Sequence, residues 1–212
     1  MYKRQVDPRS VIAKSRLEDD ARLKTIWSGY PFAKDVRERR GHAWMLDDQT
    51  YTGRQEGVPQ SGTCLNCHAS VLLAQKKLGG GDLAKGFDAM NSLPFAEARK
   101  LVSHPVSCID CHDPQTFELR VARTAFLEGL KGARAAAGLK DWDISKASSQ
   151  QKRTFVCAQC HVEYFFKGAE KKLTLPWSKG LKAEQMLSYY DDAKFSDWTH
   201  ACLLYTSDAA DE

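Results

Sequence analysis

Three copies of one pattern, Cys-x-x-Cys-His, constrain this chain more than any other feature of its sequence. They occupy residues 64–68, 108–112 and 157–161. Two thiols two residues apart lie on one turn of chain, where they can bond covalently to both vinyl groups of one porphyrin. The His that follows can supply an axial nitrogen to the iron. We therefore predict three attached haems, held by Cys64, Cys67, His68, Cys108, Cys111, His112, Cys157, Cys160 and His161.

Other chemistry of paired cysteines explains the pattern less well. Two Cys-x-x-Cys pairs can hold one zinc ion through four thiolates, but zinc does not require a His directly after every pair. Structural disulfides and thioredoxin-type redox pairs do not require that His either, and no βαβ pattern surrounds the pairs. Three of the six His residues of the chain directly follow a second cysteine, which favours haem.

The rest of the sequence indicates a mainly α fold. Much of the core of a multihaem protein is porphyrin, which fits a hydrophobic content of only 42% in 212 residues. No stretch alternates convincingly between apolar and polar residues, so strands should be few. We predict helices over residues 8–28, 122–137, 148–164 and 183–190, another that Ser92 caps and that reaches Val102, and a loop over 46–63. The expected class is a multihaem cytochrome c, with helices and loops packed around covalent haems.

The charge of the chain argues against one class of partner. The formal net charge is +4, and the two propionates of each haem would roughly cancel it. No basic stripe interleaved with aromatic residues appears, so nucleic acid is not an expected partner. No run of 18 apolar residues is present, and we therefore expect no membrane-spanning helix in residues 1–212.

Both ends of the sequence are unusual. The seventh cysteine, Cys202, belongs to no pair and opens the tail 202–212. That tail resembles the translation of a transposase sequencing adapter, and residues 1–5 resemble the same adapter read on the opposite strand. We expect residues 6–201 to be the natural segment, internal to a longer protein.

Polar residues outside the motifs are further candidates for the haem sites. His42, His104 and His200 could each supply the second axial ligand of a six-coordinate haem, or could be ordinary loop residues. Arg54 is the only Arg in the polar stretch 46–63 ahead of the first motif. Its charge could hold an anionic substrate, although a surface role explains a single Arg equally simply.

At the third motif the sequence resembles a known family. Residues 157–164 read Cys-Ala-Gln-Cys-His-Val-Glu-Tyr, which is similar to a signature of the pentahaem, ammonia-forming cytochrome c nitrite reductases. Further stretches resemble this family in the same order, at residues 40–43, 104–108, 111–114, 118–121 and 176–180. The resemblance covers residues 30–201 and includes members whose first motif ends in His.

The resemblance implies a compact, mainly helical periplasmic enzyme with five closely packed haems. Such an enzyme reduces nitrite to ammonium with six electrons, and residues 6–201 would be the N-terminal and central part of its domain, with three of the five haem sites. The resemblance also implies calcium beside the active site, a homodimer, and an electron donor that oxidises quinol or is itself a cytochrome.

The resemblance assigns roles residue by residue. Cys64 and Cys67 would attach the catalytic haem, with His68 as its proximal ligand and the opposite side open to substrate. The second and third motifs would hold relay haems with two His ligands, and His42 would ligate one of them. Glu163 and Tyr164 match calcium ligands, and Tyr164 also lines the pocket. Arg54 is the best match for a catalytic Arg, although its spacing does not align cleanly.

The sequence departs from the family pattern in two ways. Many members carry Lys where this chain has His68, so the ligand type does not mark the first haem as catalytic. A Lys-x-Gln-His stretch, the catalytic His, the remaining calcium ligands and two haem motifs are expected further downstream. A different class of function, a multihaem electron carrier without a substrate site, fits the motif spacing equally well. The Glu163–Tyr164 pair favours the enzyme, because a carrier has no need of it.

Overall fold

The structure, a computed structural model, describes residues 11–38, 40–56, 59–139 and 143–201. The predicted adapter segments 1–5 and 202–212, and Cys202 with them, lie outside the described residues, and the predicted boundaries of the natural segment stay predictions. The chain divides into two compact units. The first unit contains residues 1–59 and 196–212, and the second contains residues 60–195.

The described residues are mainly helical, as predicted. The helices are α1 (Arg22–Ile26), α2 (Met45–Thr50), α3 (Leu65–His68), α4 (Leu72–Leu78), α5 (Leu83–Ser92), α6 (Phe95–Lys100), α7 (Cys108–Cys111), α8 (Thr124–Ala136), α9 (Ser149–Ala158) and α10 (Ala183–Ala193). Short 3-10 turns occur at Arg16–Glu18, Pro31–Ala33, Gly53–Gln55, Gly62–Cys64 and Ile144–Lys146. Among the described residues there are also two strands, β1 (Phe165–Lys167) and β2 (Lys172–Thr174). They pair antiparallel, with Phe166 opposite Leu173. None of the described helices is long and apolar enough to cross a membrane.

Aromatic rings and one buried carboxylate organise the first unit. Trp27 packs against Phe32 with ring centroids 5.2 Å apart and against Trp198 at 5.7 Å. Asp35 is 3% exposed and accepts hydrogen bonds from Arg37 Nε (2.7 Å) and Gly53 N (2.7 Å). The Asp35 carboxylate thereby fixes the 3-10 turn Gly53–Gln55, which carries Arg54.

Two apolar clusters form the protein core of the second unit. One contains Phe126, Leu130, Ala133, Leu175 and Trp177, and the other contains Phe87, Ala125 and Leu173. Helix α8 contributes to both clusters, because its buried residues recur three to four positions apart. The strand β2 therefore lies between helices α5 and α8, with which it makes contact.

Several helix predictions were wrong in extent. Residues 11–28 form only a 3-10 turn and the short α1. Residues 46–63, predicted to be a loop, contain most of α2 and the start of the 3-10 turn Gly62–Cys64. Ser92 ends α5 and does not cap the next helix, which starts after Pro94. The helix predicted over 148–164 begins as expected, where Ser148 and Gln151 cap its N-terminus with reciprocal hydrogen bonds of 3.2 and 2.9 Å. It ends earlier than predicted, at Ala158. The prediction for 122–137 is confirmed by α8.

Candidate haem-attachment site

Each attachment motif lies on a short stretch of helix in the second unit. Cys64 ends the turn Gly62–Cys64, and α3 follows directly with Cys67 and His68. The second motif forms α7, and the third begins on the last turn of α9. In each motif both cysteines therefore lie on one turn, as the attachment of a single porphyrin requires.

The motif cysteines are available for covalent attachment. None of the six forms a disulfide, Cys108 and Cys157 are exposed, and the other four are half-buried. Among the described residues no three His, Cys, Asp or Glu side chains are grouped as a metal-ion site.

The residue before each second cysteine is polar and buried. These residues are Asn66, Asp110 and Gln159, which are 4%, 2% and 5% exposed. Buried polar groups are costly unless they are hydrogen-bonded, and all three are hydrogen-bonded to residues outside their own motif. In each of the three motifs, the residue before the second cysteine therefore joins the motif to the surrounding protein.

Asn66 connects the first motif to the helix pair α4 and α5. Its Nδ2 donates to Asn91 Oδ1 at 2.9 Å and to Thr63 O at 3.0 Å, and its Oδ1 accepts from Gln75 Nε2 at 2.8 Å. Gln75 lies on α4 and Asn91 on α5. The orientation of α3 is therefore set by a row of buried amides.

Backbone geometry orients the axial His of the second motif. His112 Nδ1 lies 2.8 Å from Phe117 O, and Phe117 has a left-handed backbone, with φ 61°. When one ring nitrogen of a His bonds to a carbonyl, the other is the one that binds a metal. His112 therefore fits the role of an iron ligand through Nε2.

The first and third motifs meet at their second cysteines. A hydrogen bond from the Cys67 thiol lowers the pKa of Cys160 to about 7, and the same contact raises the pKa of Cys67. Cys160 Sγ also lies 4.0 Å from Asn66 O. Porphyrins attached at the first and third motifs would therefore be bonded to neighbouring sulfur atoms.

A buried arginine lies among the three motifs. Arg123 is 4% exposed and pairs with Asp110, with Nη2 2.7 Å from Oδ1. Its Nη1 is buried and has no hydrogen-bond partner among the described residues. A buried unpaired donor is costly, and a carboxylate such as a haem propionate is a suitable acceptor. The residues present therefore fit the prosthetic group that the motifs predict.

Glu163 and Tyr164 follow the third motif as exposed residues. Tyr190 Oη on α10 donates to Glu163 Oε1 at 2.8 Å, and the Tyr164 ring packs on Phe166 with centroids 5.6 Å apart. Tyr190 in turn packs on Phe165 at 5.4 Å. The Glu163 carboxylate is thus already oriented, and its assignment to calcium stays a prediction.

The predicted site residues outside the motifs are divided between the units. His42 and Arg54 belong to the first unit, where the Arg54 guanidinium lies 5.0 Å from the centre of the Phe32 ring. His200 also belongs there, and its Nε2 lies 3.0 Å from Thr25 O. His104 belongs to the second unit, and its backbone oxygen accepts from Ser70 N at 3.0 Å. Their roles as ligands or as the catalytic Arg stay predictions.

Some residues that support this site were not predicted from the sequence. The polar residue before each second cysteine was visible in all three motifs, and its repetition was a usable signal. Arg123 gave no such signal, because an Arg ahead of an apolar helix is usually a surface residue. Tyr190 was also missed, since its contact with Glu163 spans 27 residues.

A family profile and individual known proteins are similar to this chain over most of its length. The sequence profile of the cytochrome c552 family matches residues 1–204. Cytochrome c-552 of Bacteroides thetaiotaomicron is 37% identical over 195 residues, which cover 89% of this chain and 37% of that protein. The cytochrome c nitrite reductase subunit NrfA of Nitratidesulfovibrio vulgaris is 33% identical over 196 residues, 84% of this chain and 35% of that protein.

A solved structure shows the same fold. It is the cytochrome c nitrite reductase of Desulfovibrio desulfuricans, which matches with a TM-score of 0.64 and 33% identity over 84% of this chain and 40% of that chain. That protein is described with two calcium sites in its catalytic subunit. The present chain thus spans a little over a third of the length of the curated relatives it matches, 37% in the first case.

Proposed function

The chain belongs to the cytochrome c552 family, and on this basis we propose that the full-length protein reduces nitrite to ammonium with six electrons. The observation that carries the proposal is the match to a solved cytochrome c nitrite reductase at 33% identity over 84% of the chain. The proposed reaction centre is the haem attached through Cys64 and Cys67, with His68 as proximal ligand. The haems of the second and third motifs would relay electrons to it.

A haem held by Cys64, Cys67 and His68 would supply the electrons for the reduction of nitrite. Two residues of this chain would bind the substrate and supply a proton. Arg54 would bind the nitrite anion, and its guanidinium is already restrained by the Phe32 ring and by a 3.2 Å hydrogen bond from Nε to Thr52 Oγ1. Tyr164 would donate a proton as N–O bonds break, since a phenol is a neutral donor that can return to its protonated form.

Calcium, location and partners are further parts of the proposal. We propose that Glu163 and Tyr164 contribute ligands to a calcium ion, which would fix the two side chains and add a positive field. The orientation of the Glu163 carboxylate by Tyr190 supports this assignment. We also propose a periplasmic location, because c-type haem is attached outside the cytoplasm. We further propose a homodimer that accepts electrons from a quinol-oxidising donor or from a cytochrome. Removal of calcium by a chelator should lower nitrite turnover, and added Ca²⁺ should restore it.

One alternative function has support of its own. Several of the relatives are named only cytochrome c-552, a name that suits an electron carrier. In a carrier every haem would be six-coordinate and low-spin, with no position open to nitrite. The spin state of the haems therefore distinguishes the two functions.

The test uses the full-length protein with its haems attached. We expect the ferric spectrum to contain a high-spin component that shifts when nitrite is added, and ammonium to form when a reduced viologen supplies electrons. A wholly low-spin spectrum that nitrite does not alter would refute the enzyme and support the carrier.

A matched pair of variants tests the role of Tyr164. Tyr164→Phe keeps the ring and removes the proton donor, so nitrite turnover should fall by about 100-fold, as is usual when an acid–base group is lost. Tyr51→Phe changes a similarly exposed tyrosine, 46% against 44%, and should leave turnover unchanged. Equal activity of both variants would exclude Tyr164 from proton delivery.

A further inference from the structure

A single buried ion pair lies at the junction of the three attachment motifs. The side chains of Arg123 and Asp110 are 5% and 2% exposed and meet at 2.7 Å. Such a pair is weak evidence for stability, because the cost of removing both charges from water offsets their attraction. The position of this pair therefore calls for a role other than stability.

Arg123 contacts the second and third motifs and the residue that directly follows the first. Its Nη2 donates to Asp110 in the second motif and to Ala69 O at 2.9 Å, directly after His68 of the first. Its backbone N donates to Gln159 Oε1 at 3.0 Å in the third motif. A bond of 3.3 Å from Gln159 Nε2 to Asp110 O joins the second and third motifs as well.

The guanidinium of Arg123 is also a buried positive charge at this junction. It lies within hydrogen-bond distance of Asp110 in the second motif and of the backbone oxygen that follows His68.

We propose that Arg123 is the positioning residue that fixes the three haem motifs relative to one another and places one shared positive charge beside them. The proposal rests on haem attachment at the three motifs and not on nitrite reduction. Ferric haem carries one more positive charge than ferrous haem, so a buried cation nearby favours reduction. Removal of the Arg123 charge would leave Asp110 buried alone and would disfavour reduction.

The experiment uses the full-length holoprotein with Arg123→Lys and Arg123→Gln. Lys keeps the charge, but its ammonium group replaces the rigid, planar guanidinium whose Nη2 is held between Ala69 O and Asp110. For Arg123→Lys we expect altered g-values in the electron paramagnetic resonance spectrum of the low-spin haems, with small changes in reduction potential. For Arg123→Gln we expect reduction to become at least tenfold less favourable at the affected haems, a shift of about −59 mV for one electron.

Arg37→Gln is the matched control. Arg37 forms a comparable Arg–Asp pair, 2.7 Å long and 18% and 3% exposed, in the unit that holds none of the three motifs. We expect this variant to keep the wild-type potentials and resonance spectrum.

Unchanged potentials and spectrum in both Arg123 variants would overturn the proposal. Should Arg123→Gln fail to accumulate, Arg123→Lys decides alone, because an unchanged resonance spectrum in that variant also overturns it. Absence of nitrite turnover in the wild type would count only against the proposed activity, since neither readout depends on turnover.

Discussion

At the residue scale, Asn66 shows how the site is built beneath the haem motifs. Its amide makes three hydrogen bonds, to Thr63, Gln75 and Asn91, and Asn66 is 4% exposed. Such a side chain offers more specific support than an apolar residue, because each of its partners is left unsatisfied if it is lost.

Asn66→Ala should therefore destabilise the protein by about 2 kcal/mol, the usual cost of leaving buried polar partners without a hydrogen bond. The measurement is the urea midpoint of the holoprotein. Gln150→Ala is the control, because Gln150 is exposed on helix α9, and its midpoint should stay close to that of the wild type. Equal midpoints for the two variants would show that the amide row does not support the first motif.

Asp35 provides a prediction that depends on pH. Burial would raise the pKa of its carboxyl, but the hydrogen bonds from Arg37, Gly53 and Thr52 together lower it below the ordinary 3.8. A carboxyl whose pKa is lowered by folding stabilises the fold above its unfolded pKa, and this contribution is lost as the pH falls through the folded value.

Asp35→Asn should cost about 2 kcal/mol at pH 7, and the difference from the wild type should shrink as the pH falls below 3.8. Urea midpoints measured from pH 7 to pH 3 give both quantities. Asp191→Asn, at an exposed position of α10, should show no such trend. A difference that stays constant down to pH 3 would contradict the proposed charge pairing.

At the scale of elements, two helical glycines differ in the room they leave for a Cβ atom. A Cβ atom at Gly86 on α5 would lie 1.8 Å from the backbone oxygen of Gln75 on α4, whereas one at Gly132 on α8 would come no closer than 3.5 Å to Ser178. The helix pair behind the first motif therefore depends on the missing side chain at Gly86.

Gly86→Ala should destabilise the holoprotein by about 2 kcal/mol or more, because a backbone atom cannot move aside as a side chain can. Gly132→Ala should be neutral or stabilising by up to about 1 kcal/mol, because Ala favours the helix. Thermal or urea unfolding of the two variants checks both signs. Similar effects at the two positions would show that α4 and α5 separate at little cost.

The sequence predicted the elements unevenly, for reasons visible at particular residues. Helix α8 was predicted well, because its alanines and leucines form a long amphipathic stretch without Pro. Over residues 11–28 the helix prediction was wrong in extent, because the Asp20 carboxylate accepts from the backbone N of Arg22 in a local turn and α1 begins only at Arg22. The haem-attaching residues were read directly from spacing, whereas Arg123 depended on contacts with residues 54 and 13 positions away.

At the scale of the whole molecule, the chain spans only part of the length of its relatives. It matches 37% of the first relative's length and holds three attachment motifs. We expect the chain by itself, even with haem attached, to show at most about 1% of the nitrite turnover of the full-length protein, a loss comparable to that of one acid–base group. Ammonium formation per haem, measured for both proteins, checks this expectation. Comparable turnover would show that the substrate pocket is complete within residues 1–212.

The hydrogen bond from Thr63 Oγ1 to Lys171 O has a consequence for the order of events in the cell. Its length is 2.6 Å, and its two residues are 108 positions apart. Synthesis runs from the N-terminus, so the first motif exists well before the β1–β2 turn that packs beside it. Haem joined to Cys64 and Cys67 before Lys171 has been made would therefore be joined to a segment that lacks this hydrogen bond.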